Sequence, residues 1–410
     1  MHASSHPDWI SIEMLKGVES EDIESYMIAW EGWRRGLSLS WYSNSNILTD
    51  DFDIPKRKFS LKSTQNNKIH YFYGSMGDKI PYETMKIINN NLFEDYLKKA
   101  GLTTQISKKR KKEYKYRVYV VGNEVVAVTK IIPANVIGDG KSSIKQLIIK
   151  KNKQRKENPY LANKLINIDN NLLKFIERQD FDLESIPQEN EIVFLNNSTD
   201  ISYGADSINI NEDIPEIIKK TAIKGVNSIP GLTHAGVDII YSDRETSITD
   251  VYANGDISIH TFPLLGQAHN VPKFIVDYYF PETKDTIKEQ TKIYFDFKEI
   301  KEVLDKKFAK KISLLDAPIC ELYTLRFIIS GKVQKVGYRK FIRKKAIQNG
   351  LHGFAKNLKN GDVEVLVAGS GKDTIKEFKQ ICLKGSERSK VEEVKETNWE
   401  GFIKLGFEIK

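Results

Sequence analysis

Apolar residues recur at helical and strand spacing through the first hundred positions. A helical face over residues 23–33 is followed by Gly36, which is placed to end that helix. Alternation predicts a half-buried strand at 37–41, and the same pattern recurs at Ile69, Tyr71 and Tyr73. A second helix is predicted from about 81 to 99, stopped by a glycine. We expect an N-terminal α/β domain over residues 1–105.

The stretch 116–134 has the pattern of a β-hairpin, with two apolar runs on either side of Gly122-Asn123. It opens a region predicted to cover residues 106–285. The run GDGKSS at 138–143 suggests a phosphate-binding loop, but that motif needs a glycine where the chain has Asn135. We therefore do not assign a nucleotide loop there.

The next predicted element is an amphipathic helix within a connector at 286–321. Its apolar positions are Ile300, Val303, Leu304, Phe308 and Ile312. Pro318 is predicted to end this helix. We expect it to lead to a separate C-terminal domain over residues 322–410.

The C-terminal segment carries the most regular pattern of the chain. A strand at 325–329 turns into a helix at about 338–349, and a second strand and helix follow at 363–367 and 375–382. Further strand patterns follow to the end. The predicted order is β-α-β-β-α-β, a ferredoxin-like arrangement. The predicted fold class is α/β and α+β multidomain.

Two motifs in this segment carry a family resemblance. The stretch ISGKVQKVGYR ends at Arg339, and GFAKNLKNGDVEVLVAG occupies 353–369. Both resemble the signatures of the acylphosphatases. The resemblance implies hydrolysis of an acyl phosphate to carboxylate and phosphate, with no cofactor required.

The residues themselves suit that chemistry. Backbone N–H groups of a turn at a helix N-terminus can surround phosphate oxygens, and a planar guanidinium can grip two of them. By the resemblance, Arg339 and Asn357 are the catalytic residues, and Asn357 orients a water. The phosphate-binding set is Gln334, Lys335, Val336, Gly337, Tyr338 and Arg339.

Two residues depart from the acylphosphatase pattern. Lys335 stands where that family has glycine, and Tyr338 stands where phenylalanine is usual. If the backbone of Lys335 has positive φ, its side chain costs roughly 1 kcal/mol. Its ammonium would instead add attraction for the phosphate.

Residues 117–282 resemble the ATP-grasp ligases, particularly cyanophycin synthetase and the glutathione-synthetase fusions. The landmarks are RVYVVGNEVVAVTKIIPANVIGDGKSSIKQLI, SIPGLTHAGVDII and ISIHTFPLLG. Such enzymes use ATP and Mg²⁺ to make an acyl phosphate that an amine attacks. Here the segment that carries an ATP-binding lysine and a glycine-rich flap is shortened to TTQISKKRKKEYK, so we expect a degenerate ligase region.

The resemblance also implies metal ligands in this region. Asp238 stands at the first magnesium carboxylate, and Asp250 stands where glutamate is normal. Tyr252 replaces an asparagine ligand, and tyrosine is a poor substitute for it. ATP and Mg²⁺ are thus candidate ligands of a site that has lost some of its usual ligand residues.

Composition and charge narrow the range of possible partners and cellular locations. The chain of 410 residues has a formal charge of +8, with 29% charged residues. The lysines are spread out, apart from KKRKKEYKYR, so an anionic small substrate suits the charge better than nucleic acid. No apolar run approaches the roughly 20 residues of a membrane span. With two cysteines and no secretory pattern, a cytoplasmic location is expected.

Three functions remain open at this point. The first is an acylphosphatase fused to a ligase-like region, acting on a small-molecule or peptidyl acyl phosphate. The second is an ATP-dependent carboxylate–amine ligase with an acylphosphatase editing domain. The third is a binding protein for a phosphorylated or acidic partner. The sequence does not distinguish oligomeric states.

Overall fold

The computed structural model describes residues 7–43, 57–104, 113–210, 214–242, 245–285, 292–318 and 322–410. The predicted fold class is confirmed, because helices pack on three separate five-stranded sheets. Among the described residues no helix is both long and apolar enough to span a bilayer. Cys320 and the first five residues of the basic run, 108–112, lie outside the described residues.

The N-terminal elements confirm the first predicted helix and strand. In chain order they are α1 (Ile23–Arg34), β1 (Ser38–Tyr42), β2 (Lys58–Lys62), β3 (Ile69–Tyr73), β4 (Met76–Gly77), α2 (Tyr82–Asn89) and α3 (Phe93–Lys99). Gly36 follows α1 with φ of 86°, as a helix-ending glycine should.

Two details predicted for this region are wrong. The helix expected over 81–99 is broken into α2 and α3, and Asn91 between them has φ of 57°. Asparagine tolerates this left-handed conformation, which a helix cannot continue through. In β3 the buried residue is Phe72, while Ile69 is 43% exposed, because Phe72 stacks on Phe59 of β2.

The central region is built on a second sheet with strand order β11-β10-β5-β6-β9. Its elements are β5 (Tyr114–Val121), β6 (Glu124–Ile132), β7 (Asn135–Ile137), α4 (Ile144–Glu157), α5 (Asn170–Glu177), β8 (Ile192–Phe194), β9 (Asp206–Asn209), α6 (Glu216–Ser228), β10 (His234–Ser242), β11 (Glu245–Tyr252), α7 (Ser258–Thr261) and α8 (Val271–Tyr279). Short 3₁₀ turns occur at Ile201–Tyr203 and Pro281–Thr283. The predicted hairpin is confirmed as β5 and β6.

The GDGKSS run forms an ordinary helix entry. The Asp139 carboxylate accepts hydrogen bonds from the N–H groups of Lys141 and Ser142. Ser143 and Gln146 then form a capping box at the start of α4. The loop therefore uses several of its own donors internally.

The segment predicted as a connector contributes to the first sheet. It contains β12 (Ile293–Tyr294), α9 (Phe297–Asp305) and β13 (Lys311–Ser313). The predicted helix is wrong beyond α9, since Phe308 is 78% exposed and Ile312 pairs with Trp41 of β1. The Phe297 ring lies 4.7 Å from the Trp41 ring, so aromatic packing holds this segment against the N-terminal core.

The C-terminal sheet has strand order β17-β14-β16-β15-β19. Its elements are β14 (Tyr323–Lys332), α10 (Tyr338–Gln348), β15 (His352–Asn357), β16 (Val363–Gly369), α11 (Lys372–Lys384), β17 (Lys390–Asn398), β18 (Ile403–Lys404) and β19 (Phe407–Ile409). From β14 to β17 the order is the predicted β-α-β-β-α-β, although β15 was not among the strands located from the sequence pattern. The final apolar stretch divides into β18 and β19, and only β19 joins this sheet.

Strand β18 attaches the C-terminal sheet to the N-terminal core. It pairs in parallel with β12, and Phe402 beside it packs against the Trp30 ring at 6.4 Å. The Lys404 ammonium lies 2.8 Å from the Asp296 carboxylate. Backbone pairing, apolar packing and an ion pair thus coincide at this junction.

A glycine in β15 gives a test of this fold. Gly353 has φ of 134°, and a Cβ there would overlap the Leu366 carbonyl oxygen on β16. We expect Gly353→Ala to lower the free energy of unfolding by about 2–3 kcal/mol, since backbone strain and a steric clash combine. Urea unfolding followed by circular dichroism measures this change.

The matched control is Gly361→Ala. Gly361 also has positive φ (97°), but nothing lies within 4 Å of the position that an added methyl group would take. This substitution should cost only about 1 kcal/mol for the backbone conformation. Equal losses in the two variants would contradict the packing argument.

Candidate active site

The turn between β14 and α10 leaves its backbone donors unpaired. Lys335 and Gly337 both have positive φ, 60° and 79°, so the chain reverses twice before the helix begins. Among the described residues no carbonyl or side chain accepts a hydrogen bond from the N–H groups of residues 334–340. Successive free N–H groups at a helix N-terminus form a site for an anion.

The Gln334 side chain holds this turn in place. Its Nε2 donates to the carbonyl oxygens of Leu358 and Asp362, both at 2.8 Å. These residues lie in the turn between β15 and β16. The Gln334 amide therefore has a structural contact, and its predicted phosphate contact would use the backbone N–H.

Val336 and Tyr338 anchor the turn to the core beneath α10 and α11. Val336 packs on the core while partly exposed, and Tyr338 is 1% exposed. The Tyr338 hydroxyl donates to the Cys382 carbonyl on α11 at 2.8 Å. Burial raises the pKa of Tyr338, so the hydroxyl stays protonated as a donor. The tyrosine hydroxyl thus adds no unsatisfied polar group.

Arg339 is the second residue of α10, and its side chain is partly exposed. Its Nη1 donates to the main-chain oxygen of Lys410 at 2.7 Å. Among the described residues no carboxylate forms an ion pair with it. The guanidinium is therefore oriented at one nitrogen and keeps further donors for an anionic ligand.

Asn357 ends β15, directly opposite Val363 of β16. Its Oδ1 is buried and has no hydrogen-bond partner among the described residues. A buried amide oxygen without a donor costs about 1–3 kcal/mol. Such an oxygen is poised to accept a hydrogen bond from a water or ligand.

The structure brings these residues to one end of the C-terminal sheet. Gln334 binds the carbonyl of Leu358, the residue after Asn357. The Lys410 N–H donates to the Ala355 carbonyl of β15, while the Lys410 oxygen accepts from Arg339. The turn, Arg339 and Asn357 are therefore connected through the end of β15.

The predicted metal ligands of the central sheet lie in a buried cluster of charges. Asp238 is fully buried, and the Arg117 Nε and Nη2 donate to its two oxygens at 2.7 and 2.9 Å. The Lys115 ammonium lies 3.0 Å from Asp238. The Tyr252 hydroxyl donates to Asp250 at 2.6 Å. Burial would raise the pKa of Asp238, but Arg117 and Lys115 hold that pKa below its usual value.

These side chains do not fit a magnesium ion. Mg²⁺ requires oxygen ligands in near-octahedral geometry, whereas both Asp238 oxygens face cationic donors. Arg117 and Lys115 were not among the residues predicted for this cluster. No sequence pattern indicated them, because the contact depends on the register that places Arg117 on β5 directly opposite Asp238 on β10.

Comparison with known proteins agrees with the C-terminal geometry. The acylphosphatase family model matches residues 325–409. These residues form an acylphosphatase domain. A solved acylphosphatase from Bacillus subtilis is 33% identical and covers 22% of this chain and 99% of that chain, with a TM-score of 0.20.

The region ahead of the acylphosphatase domain has other relatives. Cyanophycin synthetase from Synechocystis is 35% identical over 176 residues, which is 40% of this chain and 20% of that protein. A bifunctional glutathione biosynthesis protein from Clostridium perfringens is 32% identical over 177 residues, covering 40% of this chain and 22% of that protein. The chain thus spans about a fifth of the length of these relatives.

Lys335 is the notable departure within the acylphosphatase domain. Its φ of 60° is left-handed, the conformation in which a side chain is strained and glycine is not. The side chain is exposed at the mouth of the turn. The lysine therefore imposes a backbone cost within the run of free N–H groups.

Replacing Lys335 with glycine tests this cost. We expect Lys335→Gly to raise the free energy of unfolding by about 1 kcal/mol, because the left-handed strain is relieved. Urea unfolding measures the change. Lys332→Gly is the control, since Lys332 lies in β14 paired with Lys390 and a glycine there should destabilise. Destabilisation by both substitutions would contradict the strain at Lys335.

Proposed function

We propose that the acylphosphatase domain hydrolyses acyl phosphates to a carboxylate and inorganic phosphate, with Arg339 and Asn357 as catalytic residues. One observation carries the proposal. Among the described residues, the Asn357 Oδ1 has no hydrogen-bond partner, and it lies at the same end of the sheet as the N–H groups of residues 334–340, which have no acceptor. The Asn357 Oδ1 can accept a hydrogen bond from a water, and the N–H groups can donate hydrogen bonds to a phosphate.

The turn supplies the binding site for the phosphoryl group. Its backbone N–H groups donate to phosphate oxygens, and the dipole of α10 favours negative charge at that end. The backbone is preorganised by the Gln334 hydrogen bonds, so little rearrangement accompanies binding. The exposed Lys335 ammonium adds a nearby positive charge.

Arg339 stabilises charge as the reaction proceeds. Water attacks phosphorus, the bond between phosphorus and the acyl oxygen breaks, and the carboxylate leaves with the bonding electrons. The water loses a proton to solvent or phosphate oxygen. A guanidinium held by the main-chain oxygen of Lys410 can contact the equatorial oxygens throughout that displacement.

Asn357 positions the attacking water. The amide oxygen accepts a hydrogen bond from the water and so directs the water's lone pair toward phosphorus, with no proton transferred to the amide. Orientation of a reactant lowers the entropic part of the barrier. The leaving group is a carboxylate, so neither a covalent nucleophile nor a strong general base is required.

We further propose that the central region lacks ligase activity. The support is the Asp238 cluster, in which Arg117 and Lys115 occupy the positions around the carboxylate. In ATP-grasp ligases, the corresponding region binds ATP and Mg²⁺.

Substitution of Arg339 tests the proposed activity in the full-length chain. We expect Arg339→Ala to lower kcat/KM for benzoyl phosphate by about 10²- to 10³-fold, since a donor to the developing charge is lost. Asn357→Ala should lower kcat more than it changes KM. Phosphate release measures both, and Lys344→Ala, an exposed change on the same helix, is the control.

Two results would overturn this proposal. Wild-type protein that binds benzoyl phosphate without turnover would favour the non-enzymatic binding function. Full activity of Arg339→Ala, with Lys344→Ala equally active, would remove the arginine from the mechanism.

The second candidate is an ATP-dependent carboxylate–amine ligase with an editing domain. It is favoured by the 35% identity to cyanophycin synthetase. We expect no amine-dependent ADP release with ATP, Mg²⁺ and mixtures of amino acids, and unchanged benzoyl phosphate hydrolysis in EDTA. Amine-dependent ADP release that EDTA abolishes would establish the ligase instead.

A further inference from the structure

A cavity of about 790 Å³ opens at the β9 edge of the central sheet, and several large apolar side chains in it are exposed. Its volume falls in the range of small-molecule sites, roughly 300–1,000 Å³. Ile137, Ile192, Phe194 and Leu265 line it, and they are 53%, 55%, 37% and 43% exposed. Large apolar side chains gathered in this way indicate a surface that a ligand covers.

The fold brings these walls together from separate elements. Ile137 on β7 lies directly opposite Ile192 on β8, so their side chains stand side by side. Leu265 pairs with Ile208 of β9. The remaining wall is one face of α4, whose members recur at helical spacing: Leu147, Lys150, Lys151 and Gln154.

The cavity is separate from the Asp238 cluster. Thr129 on β6 lies opposite Arg117 on β5, which in turn lies opposite Asp238, so these three residues share one face of the sheet. Successive strand residues point to opposite faces. Lys130 and its cross-strand neighbour Ile208, which line the cavity, therefore belong to the other face.

The buried polar groups of the cavity are satisfied within the protein. The Lys151 ammonium donates to the Asn135 carbonyl oxygen at 2.6 Å and lies 2.5 Å from the Asp206 carboxylate. The Asp139 carboxylate accepts hydrogen bonds from N–H groups of its own loop. Glu113, the third carboxylate of the lining, is exposed.

Two other lysines of the lining are available to an anion. The Lys130 ammonium lies 3.8 Å from the centre of the Tyr114 ring, which holds it at the cavity wall. Lys150 is exposed on α4. Neither lysine forms an ion pair with a carboxylate in the part of the chain that the structure describes. Because Asp139 uses donors of the GDGKSS loop, a carboxylate suits this cavity better than a phosphate, which needs several donors.

We propose that this cavity binds a hydrophobic carboxylic acid, such as a fatty or aryl acid. Its apolar body contacts the walls formed by Ile137, Ile192 and Leu265, and its carboxylate pairs with the Lys130 ammonium, with Lys150 adding positive charge. Lys130 lies directly opposite Ile208, so the cation adjoins an apolar wall. This inference is independent of the proposed acyl phosphate hydrolysis, since it concerns the central region.

Binding of decanoate and decan-1-ol to the full-length protein tests this proposal, because the two compounds share a carbon chain and differ in charge. We expect calorimetric titration to show one decanoate bound per chain, with an affinity about fivefold above that of decanol, the size expected from two exposed ion pairs. In K130Q/K150Q the two affinities should become equal. In I137S/I192S both should fall by about tenfold, because apolar contact area is lost.

The matched control is K145Q/K153Q, which removes the same charge from exposed positions of α4 outside the cavity. It should keep the preference for decanoate. Absence of decanoate binding, or equal affinities for the two compounds in the wild-type protein, would overturn the proposal. Loss of the preference in both lysine variants would also overturn it, since net charge would then be the cause. Unchanged affinities in I137S/I192S would place the binding elsewhere and rule out this cavity.

Discussion

The N–H groups of residues 334–340 have no acceptor among the described residues, and the C-terminal domain is arranged around this feature. Unpaired backbone donors are costly when buried, so they occur where water or a ligand can reach them. Gln334 fixes the turn from one side, and Tyr338 fixes it from the helix side. Arg339 and Asn357, the proposed catalytic residues, lie at the same end of the sheet as this turn.

In the central region the charged groups are paired within the protein, whereas the donors of the phosphate turn are left free for a ligand. Asp238 is buried with guanidinium and ammonium partners, and the Tyr252 hydroxyl bonds to neighbouring Asp250. A buried carboxylate needs such partners, because an isolated charge in a protein interior is strongly unfavourable. Because Arg117 and Lys115 neutralise Asp238, no bound metal ion is needed to stabilise that buried carboxylate.

Sequence patterns predicted this protein best where local periodicity and motif spacing agreed. The alternation of Phe327 and Ile329 indicated β14, and the helical face with Phe378 and Cys382 indicated α11. All four residues are buried. The hairpin at Gly122 followed from turn residues placed between two apolar runs. These features depend on neighbours in sequence, so a single chain is enough to indicate them.

Features that depend on distant contacts could not be predicted in the same way. Ile312 has helical spacing from Phe308, but pairing with Trp41 places it in a strand. In the candidate site, the identities of Arg339 and Asn357 came from motifs, whereas the support of Arg339 by Lys410 required the fold. The ion pairs of Asp238 likewise depend on the register between β5 and β10.

The parallel pairing of β12 with β18 bears on how this domain could be separated or transplanted. Between β17 and β19 the chain leaves its own sheet, and the Ile403 N–H donates to the Lys292 carbonyl of the neighbouring unit. Cutting the chain ahead of β14 would expose Phe402 and Leu405, which pack on the N-terminal core. A free-standing version of the acylphosphatase domain would therefore need polar residues in place of Phe402 and Leu405.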